Sequence, residues 1–292
     1  LNPDALKLYL TFQYSALNES FFKGVYRLLP GHYLLHREGH TELASYHSFS
    51  FAPENMPLEK RAEQIREVVS QSVEAHQISD VEVGSFLSGG IDSSVIAALS
   101  RPDKTYSVGF ANKDFDETGE AKALCQELGL RNISKTISAQ EFFDVLPAVQ
   151  YYADEPNANL STVPLYFLSQ LAAKDVKVVL SGEGADELFG GYITYHTTKP
   201  YRLYRKTPLA LRRAVAKAVS GLPRFHGQGF LTKAAKGIDE TFVGQAFIFD
   251  NDEAQRVLKP AYRSPLTWHD VTQPYFQAME GADDLTRMQY LD

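Results

Sequence analysis

Two stretches of the chain set glycines, hydroxyls and carboxylates where an apolar run stops. The first lies in VEVGSFLSGGIDSSVIAALS, Val81 to Ser100, where Ser88, Gly89, Gly90, Ile91 and Asp92 join an apolar strand-like run to a helix expected from Ser93. Glycines let the backbone turn tightly and approach a ligand with no Cβ in the way. The free N–H groups of a helix start, with the helix dipole behind them, suit an anion. Ser88, Ser93 and Ser94 add hydroxyl donors. Asp92 fits beside an anion only if a cation is shared, as when Mg2+ bridges a carboxylate and a pyrophosphate. The plain alternative is an ordinary strand-to-helix turn with Asp92 as its N-cap. No Lys followed by Ser or Thr stands at Walker A spacing, so a pyrophosphate here must be held differently.

The second stretch is VVLSGEGADELFGGY, Val178 to Tyr192. A strand again ends in Ser-Gly, here Ser181 and Gly182, followed by Glu183, Gly184, Asp186 and Glu187, then Gly190 and Gly191. Oxygen donors packed between glycines at a strand end suit a metal-phosphate site. Glu187 is explained equally well as a carboxylate facing a helix dipole.

The surrounding pattern says what must position these loops. Short apolar runs (VEVGSFL, TYSVGF, ISKTIS, VKVVLSG) alternate with helical stretches at Ser93–Leu99, Glu117–Leu128, Ala139–Tyr152 and Val163–Lys174. Alternation of this kind predicts a parallel sheet built from right-handed crossovers, hence an α/β fold. In such a sheet ligands bind outside the carboxyl ends of the strands, which is where both loops fall. Before the sheet, Leu58, Ala62, Ile65, Val68, Val69 and Val73 predict a helix with one buried stripe. The first 50 residues differ: Tyr33 and Leu35 alternate with polar neighbours and Gly39 can turn a hairpin. FAPENMP, with Pro53 and Pro57, reads as a linker, and a boundary is placed near residue 55. Residues beyond about 200 read as mostly helical.

The 292 residues carry a formal charge of -7, which argues against nucleic-acid binding by a basic surface. No apolar run reaches the roughly 20 residues of a membrane span, and the first residues lack the order of a signal peptide, so a soluble, cytoplasmic protein is expected. A single cysteine, Cys125, excludes a disulfide within the chain and sits on the apolar side of a helix, where burial is expected. His32, His36, His40 and His47 are expected in surface or packing roles rather than on a metal, and Tyr151 and Tyr152 as core and loop anchors.

LSGGIDSS resembles the pyrophosphate loop of the N-type ATP pyrophosphatases, and LSGEGADELFGGY resembles the signature of the synthetase domain of glutamine-dependent asparagine synthetases. The two occur in the family's order about 90 residues apart, with YSVGF and then FDETGEAKALCQELG between them. The resemblance is good over residues 58–200. LLPGHYLL is similar to the closing hairpin of that family's glutaminase (glutamine amidotransferase) domain. The resemblance implies an adenine nucleotide alpha-hydrolase-like sheet with helices on both faces, a helical C-terminal region and a short N-terminal hairpin. It implies residues 1–55 as the tail of a glutaminase-type domain with linker, and 56–292 as a synthetase domain. Ser88, Gly89, Gly90, Asp92 and Ser93 would hold the phosphates of ATP. Asp92 and Asp186 would be Mg2+ ligands, and Leu87, Val108, Ser181 and Gly182 would line the adenine and ribose pocket. Glu183 would sit beside an acyl-adenylate and act as acid and base when ammonia attacks. In that family Asp154 or Ser161 would approach substrate.

The implied function is an ATP-dependent ligase that makes asparagine through β-aspartyl-AMP, from aspartate, ATP and ammonia supplied by glutamine. Nucleic acid and membrane are not among the expected partners, and a symmetric homodimer is the expected oligomer. The pattern departs from the family in two respects. An N-terminal cysteine nucleophile is missing, so this chain is not expected to hydrolyse glutamine. The sequence also stops at Asp292, where a helix with substrate-contacting arginine, acidic and lysine residues is expected, so it reads as a fragment. Two other readings stay open: a β-lactam synthetase or peptide-modifying relative, which the intact Glu183 disfavours, and a nucleotide-binding homologue without turnover.

Overall fold

The computed structural model describes residues 1–52, 54–112, 116–223 and 225–292. Pro53, given a role in the linker, and Phe115, in the stretch before the second helix, lie outside the described residues. The chain divides into a helical unit, Leu1–Ala52 with Asp186–Asp292, and a sheet unit, Pro53–Ala185. The division at 52/53 lies beside the boundary expected near residue 55. The second division, at Ala185/Asp186, falls within the stretch 56–292 that was read as one domain.

The helical unit opens with α1 (Pro3–Phe12), capped by the Asn2 side chain, which accepts from the Asp4 N–H. The expected hairpin follows as β1 (His32–Arg37) and β2 (His40–Ser45), antiparallel with Arg37 opposite His40. Its two-residue turn has positive φ at both Glu38 (52°) and Gly39 (79°), the backbone that matches strand twist in a tight hairpin.

In the sheet unit, α2 (Leu58–His76) follows Pro57, whose fixed φ suits a helix entry. Its apolar stripe behaves differently from expectation. In this unit α2 packs on α3, and of its stripe Val73 is buried while Leu58, Ile65 and Val68 are exposed. The alternating segments then fold as β3 (Val83–Phe86), α3 (Ile91–Ser100), β4 (Lys104–Phe110), α4 (Thr118–Leu128) and β5 (Arg131–Ile137). The helix expected over Ala139–Tyr152 is two helices, α5 (Ala139–Asp144) and α6 (Leu146–Tyr152). Pro147 lacks an N–H and opens a new first turn instead of continuing the old one. Finally α7 (Thr162–Ala172) leads to β6 (Val178–Leu180).

All strand pairs of this sheet are parallel, in the order β5-β4-β3-β6. Neighbouring residues of a strand face opposite sides, and both sides are covered. Leu87 packs with Ala97, Ala121 and Cys125 of α3 and α4, while Phe86 and Tyr106 pack with Ala172 and Val176 on the α7 side. Cys125 is buried as expected, its Sγ 3.2 Å from Thr105 Oγ1. Each such large side chain contributes about 1.5–3 kcal/mol by leaving water.

Beyond α8 (Ala185–Phe189), the helical unit continues through a short 3-10 turn at Ile193–Tyr195 and α9 (Lys199–Arg205), then α10 (Leu209–Ser220) and α11 (Gln228–Ala234). It closes with α12 (Asn251–Val257), a 3-10 turn at Pro260–Tyr262, α13 (Trp268–Ala278) and α14 (Asp284–Leu291). One cluster joins Tyr195, Ile238, Phe242, Phe276 and Met288. Another joins Leu8 and Phe12 of α1 to Val243 and Trp268, so the first residues are built into this unit's core.

Candidate active site

The chain leaves β3 in one direction, through β4 to β5, and returns on the other side as β6. Strand order therefore reverses at β3, and a crevice at the carboxyl ends of β3 and β6 is where a ligand finds room in an open parallel sheet. Both Ser-Gly loops emerge there. The strands are tied at that end by Ser85 Oγ, which donates to the Leu180 carbonyl at 3.3 Å.

The first loop is shorter than its sequence suggested. Helix α3 begins at Ile91 with Gly90 as N-cap, so Asp92 is in the first helical turn and is neither connector nor cap. No side chain caps α3, so its first amides have no side-chain partner from a cap. The loop is knotted by its serines. Ser93 Oγ accepts from the Ser88 N–H at 3.1 Å and lies 2.9 Å from Ser88 Oγ, while Ser88 Oγ accepts from the Gly90 N–H at 3.1 Å. Ser94 Oγ donates back to the Gly90 carbonyl at 2.7 Å. Ser88, Gly89, Gly90 and Asp92 are exposed.

The second loop lies against the first. A Cβ at Gly182 would stand 2.6 Å from Ser93 N and 2.7 Å from the Asp92 carbonyl carbon, so only glycine fits. Gly184 has φ of +87°, a backbone that turns the chain between Glu183 and α8. Ser181 and Glu183 are exposed, and the Glu183 carboxylate receives no hydrogen bond or ion pair among the described residues.

Ser88, Gly89, Gly90, Asp92, Ser93, Ser181, Gly182 and Glu183 thus meet on one face of the sheet unit. Leu87 and Val108 contribute differently. Leu87 is 3 % exposed with its side chain in the core, and offers a ligand only the backbone at the strand end. Val108, half-buried, packs against the cluster of Ile137, Val149, Val163 and Phe167. Asp186 belongs to the helical unit, where its carbonyl accepts from the Gly191 N–H at 2.9 Å. Its neighbour Glu187 accepts from Tyr192 Oη at 2.7 Å, a bond that, with burial, holds the tyrosine proton well above its ordinary range.

The donors suit a hard cation. Asp92 presents a carboxylate that no other side chain engages among the described residues, beside amides that suit phosphate. Mg2+ is commonly held by one or two carboxylates together with substrate phosphates. Among the described residues no group of three or more His, Cys, Asp or Glu stands ready to hold a metal, so water and phosphate oxygens would complete the shell of a Mg2+ held by Asp92.

Several other features fall outside this face. A cavity of about 760 Å3 in the helical unit, lined by Tyr201, Arg202, Phe230 and Lys233 among others, contains none of these residues. The four hairpin histidines bond locally where they bond, His36 Nδ1 lying 2.8 Å from Thr41 Oγ1. Tyr151 and Tyr152, expected as core and loop anchors, are exposed rather than in the core; they stack edge-on with each other, and Tyr152 also lies 6.2 Å from the Tyr166 ring. Asp154 sits at φ of +58° and Ser161 is the N-cap of α7. One contact escaped the sequence reading: Glu117, at the start of α4, accepts from the Gly89 N–H at 3.2 Å. Its signal was an acidic residue opening the helix after the strand next to β3.

Comparison with known proteins decides the family. Residues 64–292 match the asparagine synthase family. The chain belongs to the asparagine synthase family. It is 35% identical over its whole length to glutamine-hydrolysing asparagine synthetase 1 of Bacillus subtilis, covering 47% of that protein. It is 38% identical over 99% of its length to a putative glutamine-hydrolysing asparagine synthetase of Mycobacterium tuberculosis, covering 46% of it. The chain therefore spans about half the length of these curated relatives. Among solved structures, the NH3-dependent NAD synthetase of Campylobacter jejuni is 20% identical over 71% of this chain and 90% of its own, with a TM-score of 0.29, a likeness too slight to carry an argument.

Proposed function

We propose that the chain is the synthetase portion of an ATP-dependent amide ligase that converts aspartate to asparagine through β-aspartyl-AMP. The observation that carries this reading is the pair of Ser-Gly loops on adjacent parallel strands at the strand-order reversal, packed together at Gly182 and α3. Membership of the family supports the choice of chemistry.

The α3 amides and the hydroxyls of Ser88 and Ser93 bind the pyrophosphate portion of ATP. The strand-end backbone at Leu87, Ser181 and Gly182, together with Val108 within β4, borders the adenosine. Asp92 is the carboxylate of the sheet unit that would hold Mg2+, which when bound would supply positive charge to the phosphates. A side-chain carboxylate oxygen of aspartate attacks the α-phosphorus, and the bond to the β-phosphate oxygen breaks. The leaving pyrophosphate keeps its electrons and is stabilised by N–H donors already aimed at it. Ammonia then attacks the acyl carbon and AMP departs. Ammonia is mostly ammonium at neutral pH, so Glu183 takes a proton before or during attack.

Residues 1–55 are read as the tail of a glutaminase-type domain that packs here through α1 into the core of the helical unit, with ammonia reaching the site from glutamine hydrolysed elsewhere. The test is to supply isotopically labelled aspartate, ammonium and Mg-ATP to the protein that carries this chain. Labelled asparagine is expected, and its absence while ATP still binds would overturn aspartate as the substrate.

A further inference from the structure

The amide of Gly89 belongs to a loop read as a phosphate cradle, yet a carboxylate occupies it: Glu117 Oε2 accepts its N–H at 3.2 Å. The contact is not a by-product of helix capping. Glu117 stands at the N-cap position of α4 but makes no side-chain bond to that helix, and Asp116 Oδ1 takes the Thr118 N–H at 3.2 Å instead. The Glu117 side chain is thus left to turn to the loop across from it. The approach is close: a Cβ on Gly89 would stand 3.1 Å from the Cβ atoms of both Glu117 and Glu120. Any side chain at position 89 would push that carboxylate-bearing turn away.

A carboxylate and a phosphate oxygen compete for the same N–H, and their like charges repel. We propose that Glu117 is a positioning residue that occupies the Gly89 amide in place of a phosphate oxygen and is displaced when a polyphosphate enters. This rests on the nucleotide reading of the loop. Holding the amide keeps the cradle formed before substrate arrives. The same carboxylate re-enters as pyrophosphate leaves, so it weakens polyphosphate binding and speeds release of that product. Glu117 makes no bond to the reacting atoms and acts through Gly89.

The test measures binding of inorganic pyrophosphate, Mg-ATP and adenosine to the full chain by calorimetry, in wild type, Glu117→Gln, Glu117→Asp and the control Glu120→Gln. Glutamine can still accept the Gly89 N–H but carries no charge. Glu117→Gln is expected to bind pyrophosphate and ATP roughly 3- to 10-fold more tightly, from loss of a like charge at short range. Adenosine affinity should stay within about twofold, since adenosine has no phosphate to repel. Glu117→Asp is expected to stay near wild type, and in turnover Glu117→Gln should lower KM for ATP more than it changes kcat.

If Glu117→Gln binds pyrophosphate no better than wild type, the carboxylate is no competitor. If it binds Mg-ATP more weakly, Glu117 is holding a cation, and if it loses adenosine, Glu117 is holding the ribose. Each of these results overturns the proposal. Should wild type and variant both fail to bind any phosphate, the nucleotide reading falls with it. Binding by wild type without gain in the variant removes only the role of Glu117. Glu117→Ala serves as the second variant if Glu117→Gln fails to fold.

Discussion

Among single residues, the carboxylates of the site differ in the company they keep. Glu183 is exposed and unengaged among the described residues, which suits a group that must exchange protons with a substrate. Glu183→Gln is expected to lower ammonium-dependent asparagine formation by about 100-fold or more while changing ATP affinity little, as steady-state rates beside equilibrium binding would show. Glu187 has a settled partner in Tyr192, which fits a structural role. Residue types and their order placed Ser88, Asp92, Ser181 and Glu183 in the two loops that the structure brings together. The Glu117–Gly89 contact was not, since it joins residues 28 apart through the packing of two loops. The outward turn of Tyr151 and Tyr152 was equally hidden, because aromatic character alone does not say which side of a helix finds a neighbour.

Elements carry the next set of consequences. The strand and helix order from β3 to β6 was legible because apolar runs and helical spacing alternate without interruption. Boundaries were less so: α3 begins two residues early because Gly90 serves as its cap, and Pro147 splits α5 from α6. Gly182→Ala would drive a methyl group into the first turn of α3. A cost of about 1–3 kcal/mol in urea unfolding is expected, as for other overpacked sites, together with weakened nucleotide binding. Helix α5 is fastened by a capping box, Ser138 with Glu141, and by Lys135 Nζ 2.8 Å from Glu141 Oε1. The bond from Lys135, then those from Ser138, hold the Glu141 carboxyl at about 2, below its ordinary 4.5. The folded state therefore binds fewer protons than the unfolded between these values, and this stabilisation is present above about pH 4.5 and is lost as pH falls toward 2. Glu141→Gln should flatten that part of the acid melting profile, and an unchanged profile from pH 5 to 2 would remove the assignment.

For the whole molecule, the division at Ala185/Asp186 could not be read from composition or periodicity. It depends on α1 joining Val243 and Trp268 in one core, a pairing of segments more than 200 residues apart. Each unit also contains a buried tyrosine that resists ionisation. Burial first, then Asp175, pushes Tyr106 up to about 12, and burial first, then Asp292, raises Tyr195. A raised tyrosine pKa means the folded state keeps protons that the unfolded chain releases above about pH 10. Stability should therefore fall as pH rises from 10 to 12, with tyrosinate absorbance appearing together with unfolding rather than before it. Titration of all tyrosines ahead of unfolding would contradict the burial of Tyr106.

One oxygen atom decides whether aspartate is activated as β-aspartyl-AMP. Aspartate labelled with 18O in its side-chain carboxylate is mixed with Mg-ATP and ammonium, and the nucleotide product is examined by mass spectrometry. AMP carrying one 18O is expected, released with pyrophosphate and asparagine in equal amounts. Formation of ADP and phosphate, or of AMP without the label, would contradict that activation.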